Sequence, residues 1–143
     1  MTYYYFAYGM NTNPSLMNYN SLANPVGRAT LTHFHLKFAF YATIAPGGSM
    51  KGVLWEIDED TLIQLDEREG FPDLYTRFKT NVTNDETGEQ VIAIVYQMTP
   101  KYVKLHGTNN VIHDQYIDML RVGYRIFGIP QKQIDAALTH YLC

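Results

Sequence analysis

From Ala29 to Ile44 the side chains alternate, with Phe34, Leu36, Phe38 and Phe40 on one side and His33, His35, Lys37 and Tyr41 on the other. Successive side chains point to opposite faces only in extended chain, so this stretch predicts a long β-strand with one apolar face. Pro46-Gly47-Gly48 reads as the turn that ends it, and Gly52-Val53-Leu54-Trp55-Glu56-Ile57 as the next strand. An earlier strand is expected over the aromatic run Tyr3 to Tyr8, which stops at Gly9. Two more, Tyr75–Val82 and Gln90–Met98, flank the turn Asn84-Asp85-Glu86-Thr87-Gly88.

Helical spacing enters between and after these strands. Asp58 is placed to cap a short helix with apolar positions Leu62, Ile63 and Leu65, stopped by Gly70 and Pro72. Asn13 and Ser15 both suit the cap of a helical turn carrying Leu16 and Met17. In the last third, Tyr116, Ile117, Leu120, Tyr124 and Phe127 line one helix side, and Gly128 ends that helix. Pro130 opens another, with Ile134, Ala137, Leu138 and Tyr141. Strands first, a short helix among them and helices last describe one α+β domain over residues 1–143 whose sheet curls or closes.

Composition narrows the function classes. Apolar residues make up 46% and charged residues 17% of the 143, a globular composition and not a disordered one. Net charge is −3 and no basic run is present, which argues against nucleic acid as a partner. Residues 1–8 lack the pattern of a signal peptide, and no apolar run approaches membrane-spanning length. With Cys143 as the single cysteine, no internal disulfide forms, and a cytosolic protein is expected. There are 12 tyrosines and 7 phenylalanines, a surplus suited to a cleft or interface as much as to a core.

Four constellations have chemical potential. His33-x-His35 places two imidazoles on one strand face, but no cysteine or carboxylate stands at ligand spacing, and His106, His113 and His140 are scattered. A nucleophile is poorly supported: there is no Gly-x-Ser-x-Gly elbow, and Cys143 is at the end of the chain. Asn81-Val82-Thr83 is a glycosylation sequon only in form. The fourth joins two segments. Tyr8-Gly9-Met10-Asn11-Thr12 is a Gly-containing loop leaving a strand, able to aim backbone N–H groups at one carboxylate or carbonyl oxygen. Glu69 stands at a helix exit, where the dipole disfavours its charge and burial raises its proton affinity, as a general base needs. Asp66 and Glu67 on the same helix read as solvated surface charges.

Tyr5-Phe6-Ala7-Tyr8-Gly9-Met10-Asn11 resembles the signature loop of the γ-glutamylcyclotransferase-like family. Gly52 to Ile57, the block Leu65-Asp66-x-x-Glu69-Gly70-Phe71-Pro72-x-Leu74-Tyr75, and Gly128-Ile129-Pro130 resemble its later blocks in order. The likeness is to the group that includes the γ-glutamylamine cyclotransferases and AIG2-like proteins. It implies a small mixed barrel-like sheet surrounded by helices. It also implies a reaction: the α-amine of a γ-glutamyl group closes on its own γ-carbonyl, giving 5-oxoproline and a free amine. Glu69 is then the catalytic acid–base, and Tyr8, Gly9, Met10, Asn11, Thr12 and Tyr75 bind the substrate. No metal or other cofactor is implied. The partner is a small γ-glutamyl molecule, with no nucleic acid and no membrane, and the chain is a monomer or homodimer. Met10 departs from the family, which usually has Ser there; its side chain either packs inward or changes substrate choice. A non-catalytic small-ligand-binding or regulatory protein on the same fold is the alternative.

Overall fold

The computed structural model describes residues 2–18, 23–105 and 112–142, without the side chains of 141 and 142. His106, Cys143 and the side chain of Tyr141, all considered above, lie outside the described residues.

Five strands form a closed barrel in the order β1-β3-β2-β4-β5. They are β1 (Thr2–Ala7), β2 (Ala23–Ala39), β3 (Tyr41–Asp58), β4 (Tyr75–Asn84) and β5 (Gln90–Met98). The helices are α1 (Pro14–Met17), α2 (Glu59–Arg68), α3 (Pro100–Leu105), α4 (Asp114–Phe127) and α5 (Lys132–Leu142). No helix is long and apolar enough to cross a membrane among the described residues. Neighbouring strands run antiparallel except where β1 meets β5, a parallel contact at Tyr5 and Ile94 that closes the barrel. Closure explains why β1 is buried on both faces from Tyr5 to Ala7.

The expected strand Ala29–Ile44 is corrected. The chain reverses at Phe40, so that Ala39 pairs with Tyr41, and the long alternating run is one arm of a hairpin plus the start of the other. Phe40 takes a left-handed φ of 68°, uncommon for a bulky residue. Its ring meets those of Tyr41 at 4.7 Å and His113 at 6.1 Å, contacts that offset the backbone cost. Pro46-Gly47-Gly48 is not the turn but an irregularity inside β3, opposite a register shift between Thr32 and Phe34. Gly47 at φ 111° and Gly48 at φ 78° absorb the kink together with His33 at φ 71°.

Local signals elsewhere act as their chemistry dictates. Asp58 caps α2 by accepting from the Thr61 N–H at 2.8 Å, and Asn13, not Ser15, caps α1 by accepting from the Ser15 N–H at 3.0 Å. Gly128 ends α4 in the left-handed conformation. On α2, Leu62 and Leu65 enter the core while Ile63 stays 53% exposed. The short α3 has no counterpart in the sequence reading.

Candidate functional site

The strand β1 delivers the chain into Tyr8 and then a single 3₁₀ turn, Met10–Thr12. The turn is closed by the Thr12 N–H on the Gly9 carbonyl at 3.1 Å and the Asn13 N–H on the Met10 carbonyl at 3.0 Å. The N–H groups of Met10 and Asn11, at the start of that turn, have no acceptor within it. Gly9 approaches the tip of the β2–β3 hairpin so closely that a Cβ there would lie 3.2 Å from the Ala42 Cβ.

Glu69 is the C-cap of α2. The Phe71 N–H bonds the Asp66 carbonyl at 2.9 Å, the Gly70 N–H bonds the Glu67 carbonyl at 3.2 Å, and Gly70 is left-handed at φ 64°. This is a Schellman closure, which fixes where the helix ends and so where the Glu69 side chain departs.

These two termini meet. The Asn11 amide Nδ2 donates to Glu69 Oε1 at 3.3 Å and to the Tyr5 hydroxyl at 3.1 Å, while its Oδ1 accepts from Arg68 at 3.4 Å. The Asn11 carbonyl in turn accepts from the Trp55 indole N–H at 3.0 Å. Both sides of Asn11 are therefore committed, and it holds the loop against the carboxyl. The two segments line a cavity of about 440 Å³, within the range of small-molecule sites.

Burial pushes the Glu69 carboxyl up to about 7, against a smaller lowering by the Arg68 charge. Around it the wall is tyrosine-rich, with Tyr5, Tyr8, Tyr41, Tyr75, Tyr96 and Tyr116 contributing. Desolvation, then the Glu69 charge, raises Tyr5 and Tyr8, so these phenols stay neutral. Their hydroxyls brace the walls: Tyr8 donates to the Tyr96 carbonyl at 2.7 Å, Tyr75 to the Ala42 carbonyl at 2.6 Å, and the Ala42 N–H donates to Tyr116 at 2.9 Å.

Of the residues expected at the site, Glu69, Tyr8, Gly9, Met10, Asn11 and Tyr75 line this cavity together. Met10 lines it and is also packed against the core. Thr12 does not line it. It is fully buried behind the loop, its hydroxyl donating to the Gly9 carbonyl at 2.7 Å with α4 pressed against it at Gly123. Asp66 is corrected as well: it is no free surface charge but accepts from Arg77 at 2.9 Å and from the Tyr96 hydroxyl at 2.6 Å. Glu67 is exposed as expected. Tyr5, Tyr41, Tyr96, Tyr116 and Arg68 were not assigned to the site from the sequence. The tyrosine surplus was the one signal, and it does not say which of the 12 converge.

The sequence profile of the family described as Gamma-glutamyl cyclotransferase, AIG2-like, matches residues 5–116. A γ-glutamylcyclotransferase of Bos taurus is 29% identical over 157 residues, covering 94% of this chain and 78% of the bovine protein. Among solved structures, one of a γ-glutamyl cyclotransferase superposes with a TM-score of 0.78 at 23% identity, covering 96% of this chain and 86% of the other. An uncharacterized protein from Homo sapiens gives 0.73 at 27% identity, with coverage of 94% and 85%.

Proposed function

The chain belongs to the γ-glutamyl cyclotransferase, AIG2-like family and is an enzyme of that kind, and from this premise we propose that Glu69 drives its γ-glutamyl cyclisation by moving one proton twice. The observation that carries the reading is the Glu69 carboxyl, raised to about 7 and held 3.3 Å from the Asn11 amide of the Gly9 loop.

Glu69 as carboxylate takes a proton from the α-ammonium of the γ-glutamyl group. The freed amine nitrogen attacks the γ-carbonyl carbon, and the carbonyl oxygen becomes an oxyanion. The N–H groups of Met10 and Asn11 are the donors for that charge. Protonated Glu69 then returns its proton to the γ-nitrogen and the oxyanion re-forms the carbonyl as the old C–N bond breaks. The ring nitrogen, left with two protons, passes one to the departing amine, so that 5-oxoproline and an ammonium product result. Attack within one molecule already has a high effective concentration, so positioning and proton transfer suffice. A carboxyl titrating near 7 both accepts and returns a proton readily at neutral pH. No electrons change hands. In this reading the enzyme works in the cytosol on a small γ-glutamyl molecule, as a monomer or homodimer.

The test is release of 5-oxoproline from a panel of γ-glutamyl compounds by the purified protein. Glu69→Gln, nearly the same shape, is expected to lose about two to four orders of magnitude, and Glu67→Gln to change little. Near-normal turnover in Glu69→Gln removes Glu69 from the chemistry. Binding of the compounds with no 5-oxoproline from the unmodified protein favours the non-catalytic alternative.

A further inference from the structure

One other charged side chain shares the cavity wall with Glu69: Arg68, its neighbour in sequence, which is exposed and so stands at the opening. Its guanidinium is tethered at three points, by the Leu16 carbonyl at 3.0 Å, the Asn11 side-chain oxygen at 3.4 Å and the Met17 sulfur at 3.9 Å. All three are neutral acceptors, and no carboxylate reaches ion-pair distance of it among the described residues. A guanidinium has five N–H donors in a planar fork, so three neutral contacts hold it in place and leave donors over.

Resting on the cyclisation proposed above, we propose that Arg68 selects substrates whose leaving amine carries a carboxylate, that is, an amino acid in γ-glutamyl linkage, over those that release an uncharged or cationic amine. Cyclisation folds the α-amine and γ-carbonyl together at Glu69, whereas the group on the γ-nitrogen runs away from the reacting centre and departs through the opening. A carboxylate on that group meets Arg68. Among the described residues a cationic group finds no second acid to receive it: the remaining wall is neutral, and Asp66, outside the cavity, is taken up by Arg77 and Tyr96.

γ-Glutamylalanine and γ-glutamylethylamine differ only in the carboxylate of the leaving group, and their ratio of kcat/KM isolates its contribution. The unmodified enzyme is expected to favour γ-glutamylalanine. Arg68→Gln should cut that preference by about tenfold, mainly through the KM for γ-glutamylalanine, and Arg68→Lys should keep part of it. Equal loss on both compounds overturns the proposal, because Arg68 then acts on the common glutamyl end or only as a strut for Leu16 and Asn11. An unchanged ratio with a displaced pH profile overturns it too, since Arg68 then acts only through Glu69. Calorimetric binding of the same pair to Glu69→Gln, with and without Arg68→Gln, decides the matter independently of turnover. If the unmodified protein forms no 5-oxoproline from either compound, the cyclisation reading fails. Arg68 is then still supported by tighter binding of γ-glutamylalanine that Arg68→Gln abolishes, and refuted by equal binding.

Discussion

Glu69 has two jobs that pull against each other, ending a helix and serving as a titratable wall of the cavity. Its ordinary carboxyl value of 4.5 is raised to about 7 by desolvation. Between these values the folded chain binds a proton that the unfolded chain has lost, so stability falls as pH rises through that window. Glu69→Gln, neutral at every pH, should therefore melt roughly 3 °C or more above the unmodified protein at pH 8, with the gap closing toward pH 4.5. An equal gap at both ends of a thermal melt series would show that the carboxyl is not desolvated. The activity limb has the same origin and opposite sense: kcat/KM is expected to climb as Glu69 deprotonates through about pH 7. The residue thus loses stability over the range in which it becomes a base.

At the scale of elements, α4 is the backing plate of the Gly9 loop. Gly123 packs so tightly against Thr12 and Asn13 that an added Cβ would sit 2.7 Å from the Asn13 nitrogen and 2.8 Å from the Thr12 carbonyl carbon, both backbone atoms. Gly123→Ala favours the helix intrinsically yet must push α4 off the loop. A loss of about 1–3 kcal/mol in stability is expected, read by denaturant midpoint, together with a fall in kcat that reflects the displaced loop. A stabilised variant of full activity would contradict that packing. Such contacts mark the limit of sequence reading. The cap at Asp58, the left-handed Gly128 and the Asn84–Gly88 hairpin were legible because a few adjacent residues decide each of them. The reversal at Phe40 was not, since nothing beside it requires a turn and aromatic partners, one of them on the far side of the chain at His113, hold it. Glu69 and the Gly9 loop stood out as an acid at a helix exit and a Gly-containing loop after a strand, and the order of family-like blocks gave them their roles. Tyr5, Tyr41, Tyr96 and Tyr116 arrive from four separate elements, and only the barrel's topology brings them together.

Across the whole molecule, the barrel and the C-terminal helices are joined by a short polar chain. Gln133 of α5 accepts from the Lys51 N–H and donates to the Lys51 carbonyl, both at 2.8 Å, and also donates to the Tyr124 hydroxyl at 3.0 Å. Tyr124 then donates to the Tyr8 carbonyl at 2.8 Å, beside the cavity. Gln133→Ala leaves both Lys51 backbone groups without this partner, and should cost about 1–3 kcal/mol in unfolding free energy while the folded enzyme keeps its kcat. A large drop in kcat at full folding would mean that α5 reaches the site through Tyr124. The same architecture supplies the molecule with its own optical reporter. Trp55, the chain's single tryptophan, is fully buried and bonded through its indole N–H to the carbonyl of Asn11, whose side chain holds Glu69. Its emission therefore reads one place, the back of the substrate loop: blue while the barrel is intact, red on unfolding, and altered when a molecule seated in front of Asn11 shifts that carbonyl.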